Sequence, residues 1–428
     1  MSWRDGTLVR RQLEGSRAVA ETVARCRPQV VAAYPISPQT HIVEALSDLV
    51  RTGELEDCEY LMVESEFGAM SACIGASATG ARAYTASASQ GLLFMAEALP
   101  NASGIGLPIV MTVANRAIGA PINIWNDHSD AMSQRDAGWV QLFAQSNQEA
   151  VDLHVQAFVL AERISLPVMV CMDGFVLTHA VEEIEVPDQE VVDAFLPAFV
   201  PRQRLDPDDP VTIGAMVGPE AFTEVKYLMA LRQLEALDVV AAVAADWSRL
   251  AGRDTGGLVD RYRLEDAEVV VVALGSVLGS VKDVVDDLRR EGVRVGVLGV
   301  TCFRPWPLDE VREALADASS VVVVNRAFAV GSGSILGQDV RLSLAASPTR
   351  VYDVVLGLGG RPVTRERLRA LLDDVLADRL DPEALHFPDL DEELVRRELA
   401  RHELPAEPST RARSHGLVTT GFGLGRSR

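Results

Sequence analysis

Two carboxylates one residue apart, Glu64 and Glu66, stand where an apolar stretch, Tyr60 to Val63, gives way to a run of Gly, Ala and Ser. A carboxylate at such a junction can accept a hydrogen bond from a ligand N–H. It can equally cap the helix that follows, where an acid in the first turn is worth about 0.3–1 kcal/mol, and for the pair alone capping is the simpler account. The residues beyond it shift the balance. Gly68, Ala69, Ser71, Ala72, Gly75, Ala76, Ser77 and Ala78 carry almost no side-chain bulk, so another backbone or a flat ligand can approach closely. A second strand-like run, Arg82 to Ala86, is read as ending at Ser89-Gln90-Gly91.

Three further groupings could do chemistry. Tyr34 to Thr40, YPISPQT, places Pro35 and Pro38 around Ser37, a rigid turn that aims one hydroxyl and a helix start; a plain stop before a helix is the bland alternative. In Thr112 to Ile118, Asn115 and Arg116 follow an apolar run. Arg116 is either a salt-bridge partner or a guanidinium fork for a substrate carboxylate, a geometry Lys cannot match. Asn126-Asp127-His128-Ser129-Asp130 contains metal-capable groups, but the spacing matches no metal signature. A polar loop that caps a helix and lines the same pocket fits better, and no metal is expected on this chain.

The elements that must position these residues follow from the apolar pattern. Strand-like runs at Gln29 to Tyr34, Tyr60 to Val63, Arg82 to Ala86, Ile109 to Val113 and Val168 to Met172 alternate with helical stretches such as Ile42 to Val50, Gly68 to Ala78 and Gln148 to Ile164. Continuous apolar strands separated by helices predict a parallel α/β sheet covered on both faces. All four groupings fall at or just beyond a strand end, where ligands lodge in open sheets. Residues 181–262 break the rhythm with Pro-Asp clusters that favour turns, and read as a linker containing a helix around Glu220 to Leu234. A second alternating unit runs from Val269 to about residue 380. Its Gly331–Gly337 run has the wrong spacing for a dinucleotide fingerprint, and a helix start packed close to a sheet explains it. The remainder, 381–428, is read as a C-terminal extension, partly mobile.

Composition narrows the class. With 428 residues, 48% hydrophobic and 24% charged, the chain is an ordinary globular protein with room for two or three domains. A net charge of −21 argues against nucleic acid or an anionic membrane as partner. The five cysteines are scattered without a CxxC pair, which points to a reducing compartment and leaves no ligand set for an iron–sulfur cluster. The N-terminal MSWRDGTLVRRQLEG lacks a signal-peptide core, and no run approaches the ~20 apolar residues of a membrane span; a cytoplasmic location is expected.

Together, YPISPQT, the ESEFGAMSACIGASATGARAYTASASQGL core and the NRAIGAPINIWNDHSD loop resemble the alpha subunits of 2-oxoacid:ferredoxin oxidoreductases, most closely the pyruvate-oxidising branch. QEAVDL, MDGF, RPWP and GLGGR extend the resemblance over roughly residues 15–375. It implies a pyrimidine-type thiamine-diphosphate-binding domain with a doubly wound parallel sheet (1–262, including the linker), then a smaller transketolase-C-terminal-like α/β domain (263–380).

The resemblance also implies roles. Glu66 would hydrogen-bond N1′ of the aminopyrimidine, with Pro35 and Gln90 beside the cofactor. Arg116 and Ser37 would act on the 2-oxoacid, with Asn115, Asp127 and His128 lining its site; Ser37 stands where the family usually has Thr. The chain lacks a GDG…N diphosphate motif and cluster cysteines. A beta subunit would therefore hold Mg²⁺, the diphosphate and iron–sulfur clusters, with gamma- and delta-type subunits, ferredoxin, pyruvate and coenzyme A as the remaining partners. Alternatives are the same scaffold acting on 2-oxoisovalerate, 2-oxoglutarate or oxalate, a non-catalytic assembly subunit, and a free-standing NAD enzyme built on the Gly331 loop.

Overall fold

In the computed structural model, which describes residues 10–402, the chain divides into two units. The first runs to Asp260 and includes Leu274–Ser276 and Val300–Pro307; the second comprises Arg261–Ala273, Val277–Gly299 and the chain from Leu308. The strands are β1 (Arg10–Glu14), β2 (Val30–Ala33), β3 (Glu59–Met62), β4 (Ala83–Ser87), β5 (Val110–Asn115), β6 (Val140–Phe143), β7 (Val168–Asp173) and β8 (Val181–Glu185). They continue with β9 (Val259–Tyr262), β10 (Val269–Ala273), β11 (Val295–Val300), β12 (Cys302–Arg304), β13 (Ser320–Asn325), β14 (Phe328–Ala329), β15 (Gly333–Ser334), β16 (Arg350–Val355) and β17 (Leu385–His386). The helices of the first unit are α1 (Gly15–Arg25), α2 (Thr40–Thr52), α3 (Glu66–Ala78), α4 (Ser89–Phe94), α5 (Ala98–Ile105), α6 (Ser129–Ser133), α7 (Asn147–Ile164), α8 (Gln189–Phe195) and α9 (Phe222–Ala251). Those of the second are α10 (Val277–Arg290), α11 (Leu308–Ala314), α12 (Leu336–Ser343), α13 (Arg365–Leu376) and α14 (Glu392–Arg401).

The first unit holds a seven-stranded sheet in the order β12-β6-β7-β5-β4-β2-β3. It is parallel except where β12 pairs β6 antiparallel. β4, β5, β6 and β7 are buried along their whole length, as central strands covered by helices on both faces must be. Val19, Leu46, Tyr84, Phe158 and Trp247 belong to the core that seals one face. The register aligns Ala33 with Met62, Ser87 with Val113 and Asn115 with Asp173. The C-terminal ends of β3, β2, β4, β5 and β7 are therefore neighbours along one edge, and each grouping from the sequence follows one of them.

The second unit carries a six-stranded sheet, β17-β16-β13-β10-β11-β9, with parallel pairing from β11 through β10, β13 and β16 to β17. The sheet thus continues past residue 380 through Leu385–His386. Phe328–Ala329 and Gly333–Ser334 form a small hairpin, and the Gly337 amide donates to Asn325 Oδ1 at 3.0 Å. A methyl group on Gly337 would collide with the Asp353 carboxylate, so the glycine serves the close approach of α12 to the strand ends.

Several elements differ from the expectation. The fourth strand stops at Ser87, and Ser89 opens a helix at φ +48°. The Ser89 amide donates to Asp130 Oδ2 at 2.9 Å and its hydroxyl to the Ala117 carbonyl at 2.5 Å, which draws the chain off the sheet. Residues 181–185 form a strand, not a turn, paired antiparallel with β1. Arg10 bonds Glu185 at 2.7 Å and Glu183 at 3.3 Å across it, and Ile184 is buried with Leu13, Ala18 and Val151, so a largely acidic sequence still makes a ribbon. The helix placed around Glu220 to Leu234 extends to Ala251, and its second half buries Ala236, Val240, Val243 and Trp247. β6 and β12 are short and were not anticipated. Of the C-terminal extension read over 381–428 as partly mobile, residues 403–428, like the N-terminal residues 1–9, lie outside the described residues.

Candidate active site

Glu66 is the first residue of α3, but it does not cap that helix. The Ser65 hydroxyl accepts from the Gly68 amide at 3.1 Å, satisfying one of the first-turn donors by the usual N-cap contact. Glu66 is only 7% exposed, yet no described residue donates a hydrogen bond to its carboxylate. Its Oε1 lies 2.5 Å, and the buried Ser87 hydroxyl 2.8 Å, from where a Cβ on Gly91 would stand. The carboxylate therefore rests on bare backbone at the start of α4. A carboxylate buried without a donor costs stability, and this one is placed to receive an N–H from a ligand.

The neighbouring strand ends are tied together by Asp130. Fully buried, it accepts from the Ser89 amide, the Asn115 side-chain amide and the Arg116 amide at 2.9 Å each, and from the Ala131 amide at 2.8 Å. Burial pushes its carboxyl up to about 6 despite these four donors. Asp130 thereby links the ends of β4 and β5 and fixes the backbone on which Arg116 is mounted. The Arg116 guanidinium, 9% exposed, donates Nη1 to the Ser37 carbonyl at 2.9 Å and Nε to the Asn123 carbonyl at 3.3 Å. Burial lowers its affinity for the proton, partly offset by Asp130. The cation thus braces the YPISPQT turn against the loop after β5 and forms no salt bridge with a described carboxylate.

Asn115 and His128 are both fully buried. His128 Nε2 is 2.6 Å from Asp173 Oδ1, while Asp173 Oδ2 accepts from the Ser276 amide at 3.0 Å and from its hydroxyl. Gly275, at φ +76°, passes so close that a Cβ there would lie 2.9 Å from His128 Nε2. Asp127 turns to its own helix start and accepts from the Ser129 amide at 3.0 Å and from the Ser129 hydroxyl. The Gln90 side-chain oxygen lies against the Ser89 hydroxyl, whose one proton it shares with the Ala117 carbonyl, and its amide nitrogen packs on Gly119.

Most of the anticipated residues are thus brought into one region. Glu66 meets Gly91, Gln90 adjoins Ser89, Asp130 binds Ser89, Asn115 and Arg116, and Arg116 reaches Ser37. Gly174 packs against Pro38 and donates its amide to the Asn115 carbonyl at 3.0 Å, which brings the His128–Asp173 pair alongside. Ser37 is exposed and Pro35 half-buried; both stand on the rim. Sequence reading missed Ser87, Ser89, Gly91 and Asp173 as site residues and gave Asp130 only a loop role; the signal available for Gly91 was its place directly after Ser-Gln at a strand end. A cleft of about 720 Å³ lies at the opposite ends of the strands, lined by Cys26, Gln29, Arg82 and Phe199, and contains none of these residues.

The region suits an aminopyrimidine ring. It offers a buried acceptor without a donor, a glycine that keeps the space beside it open, and the Ser87 hydroxyl, buried without a partner. Residues 21–244 match the family model for the thiamine-diphosphate-binding domain of pyruvate flavodoxin/ferredoxin oxidoreductases, and residues 267–368 that for core domain II of pyruvate:ferredoxin oxidoreductase. The chain is 47% identical over 391 residues to pyruvate synthase subunit PorA of Methanosarcina barkeri, covering 90% of this chain and 97% of that one. Ketoisovalerate oxidoreductase subunit VorA of Pyrococcus horikoshii is 40% identical over 370 residues, 86% of this chain and 94% of that one. Among solved structures, 2-oxoglutarate:ferredoxin oxidoreductase from Magnetococcus marinus, with 2-oxoglutarate, coenzyme A and succinyl-CoA bound, matches with a TM-score of 0.65 at 19% identity. That match covers 85% of this chain and 65% of the other, so the present chain spans about two-thirds of its length, and at this identity the likeness speaks to fold alone. With a family model matched over half its length and relatives nearly half identical, the chain belongs to the pyruvate flavodoxin/ferredoxin oxidoreductase family.

Proposed function

We propose that this chain is the alpha-type subunit of a pyruvate:ferredoxin oxidoreductase and contributes the pyrimidine half of its thiamine diphosphate site. The observation that carries this reading is the Glu66 carboxylate, buried, without a donor and held open by Gly91. When bound, thiamine diphosphate supplies the carbon nucleophile and electron sink for decarboxylating a 2-oxoacid. Glu66 accepts a hydrogen bond from the pyrimidine N1′ and steadies the proton there. The wall around it, Gly91 and Ser87, excludes water, so that hydrogen bond acts in a low dielectric. Arg116 spends Nη1 and Nε on two backbone carbonyls and keeps Nη2 for the substrate carboxylate, with the Ser37 hydroxyl beside it. Asn115 and His128 act from behind the surface, through Asp130 and Asp173, and Asp127 shapes the loop that carries them. Gln90 and Pro35 flank the ring.

In the net reaction, pyruvate and coenzyme A become acetyl-CoA and carbon dioxide, and electrons leave to ferredoxin; the reverse direction is open to the same site. Mg²⁺, the diphosphate and the iron–sulfur clusters belong to a beta subunit in this proposal, with gamma- and delta-type subunits completing the assembly. A cytoplasmic location accords with five scattered cysteines that form no CxxC pair, and no described helix is long and apolar enough to cross a membrane. Replacing Glu66 by Ala or Gln in the assembled complex is expected to cut thiamine-dependent pyruvate oxidation by about 10²-fold or more while leaving assembly intact. Full activity in both variants would reject the role of Glu66. A panel of 2-oxoacids run on the parent complex tests the substrate: preference for 2-oxoisovalerate, 2-oxoglutarate or oxalate over pyruvate would move the assignment within the family.

A further inference from the structure

Glu14, His41 and His179 come from three separate pieces of chain: the last residue of β1, the second residue of α2 and the turn after β7. One ligand-capable atom of each lies within 4.8 Å of the other two. The imidazole rings of His41 and His179 face each other with centroids 4.6 Å apart, and His41 Nδ1 is 2.6 Å from Glu14 Oε1. The Glu14–His41 contact by itself is an ordinary surface ion pair, worth about 0–1 kcal/mol. That pairing does not explain why a second imidazole is held against the first. His179 is positioned deliberately: its Nδ1 is 2.7 Å from the Thr178 hydroxyl, which also accepts from the Phe175 amide at 2.8 Å. Such an outer hydrogen bond on one ring nitrogen fixes the imidazole and leaves the other nitrogen as its ligand atom.

We infer that Glu14, His41 and His179 form a divalent transition-metal site of the His-His-carboxylate type, best suited to zinc, with its fourth position open. Metal bonds of about 2.0–2.2 Å in a tetrahedral set place ligand atoms about 3.3 Å apart. Reaching that spacing asks the His41–Glu14 contact to open from 2.6 Å and the ligand atoms, all within 4.8 Å of one another, to draw in by at most about 1.5 Å. The site is independent of the thiamine site but lies on elements that lead to it. His179 stacks on Phe175 at 4.7 Å and Phe175 on Trp125 at 4.9 Å, in the loop whose Asn123 carbonyl holds Arg116. His41 follows the Ser37–Pro38 turn by three residues. Bound metal would clamp β1, α2 and the β7 turn together beneath that loop.

The test is titration of the full-length, untagged chain with Co²⁺, followed by Zn²⁺ displacement in competition with a chromophoric chelator. The expected result is one Co²⁺ per chain with visible d–d absorption of four- or five-coordinate intensity, abolished by one equivalent of Zn²⁺. His41→Ala and His179→Ala should each weaken Zn²⁺ binding by at least about 100-fold and Glu14→Gln by about 10-fold; far-ultraviolet circular dichroism monitors folding. Should either histidine variant fold poorly, Glu14→Gln and Thr178→Val provide the milder perturbations, each expected to weaken binding. Equal Zn²⁺ affinity in the parent and the His41→Ala/His179→Ala double variant would overturn the site. So would a thiolate-to-cobalt charge-transfer band, which would place the metal on a cysteine instead.

Discussion

Gly91→Ala puts a methyl group into the narrowest place in the site. Its Cβ would stand 2.5 Å from Glu66 Oε1, 2.9 Å from Glu66 Cδ and 2.8 Å from Ser87 Oγ. Ordinary contact begins near 3.4 Å, so the carboxylate must withdraw by about 0.9 Å. The stability effect is small because two terms oppose: alanine gains about 1 kcal/mol over glycine within a helix, and overpacking costs about 1–3 kcal/mol. The net change is a loss of about 0–2 kcal/mol. Function is affected far more, since a displacement of about 1 Å in a positioning group can cost about 10²-fold. In the assembled complex, steady-state pyruvate oxidation with a one-electron acceptor should fall about 100-fold while the melting temperature moves by a few degrees at most. Weaker retention of thiamine diphosphate on gel filtration should accompany the loss. A folded, assembled Gly91→Ala enzyme that keeps kcat/KM within about threefold of the parent would refute the placement of Glu66 against Gly91.

Arg116→Lys removes the fork that spans Ser37 and Asn123; kcat/KM for the 2-oxoacid should fall about 10–100-fold, chiefly through KM, and an unchanged KM counts against substrate contact by this residue. Asp130→Asn leaves several buried donors facing an amide, so urea denaturation should show a loss of about 2–4 kcal/mol at neutral pH. The pH dependence has a definite sign. Asp130 keeps its proton in the folded state up to about pH 6, against 3.8 for the ordinary carboxyl, so the native state binds more protons across that window. Its contribution to stability is greatest at the acid end and falls as pH rises from about 4 to 6, by at most about 3 kcal/mol. Unfolding of parent and Asp130→Asn at pH 4.5 and pH 7 should show that difference shrinking toward neutrality. A constant difference would show that Asp130 titrates normally.

Much of the fold was legible because it is written in short-range pattern. The runs that became β2, β4, β5 and β7 are predominantly apolar, since both faces of the sheet are covered. β8 was not legible: VEEIE is mostly acidic, and it becomes a strand where Ile184 is buried with Ala18, Val151 and Leu13 and where Arg10, some 170 residues away, supplies opposite charge across the ribbon. The end of β4 was misjudged for a similar reason. Nothing local to Ser89 announces the Asp130 carboxylate that pulls it out of the strand.

The candidate site divides along the same line. Sequence alone determined which residue types could serve: an acid before a helix of small residues, an arginine after a strand, a proline-framed serine, and no cysteine pairs or diphosphate motif for the rest of the chemistry. These are properties of composition and spacing, and a short stretch of chain carries them. Tertiary structure decided what each does. Ser65 takes over capping and frees Glu66, Gly91 makes room beside that carboxylate, Arg116 is committed to two carbonyls, and Asn115 and His128 withdraw behind the surface onto Asp130 and Asp173. Each of these depends on distances between residues brought together only when neighbouring strands align in register, and hydrogen bonds and steric overlap turn on tenths of an ångström that linear spacing does not encode.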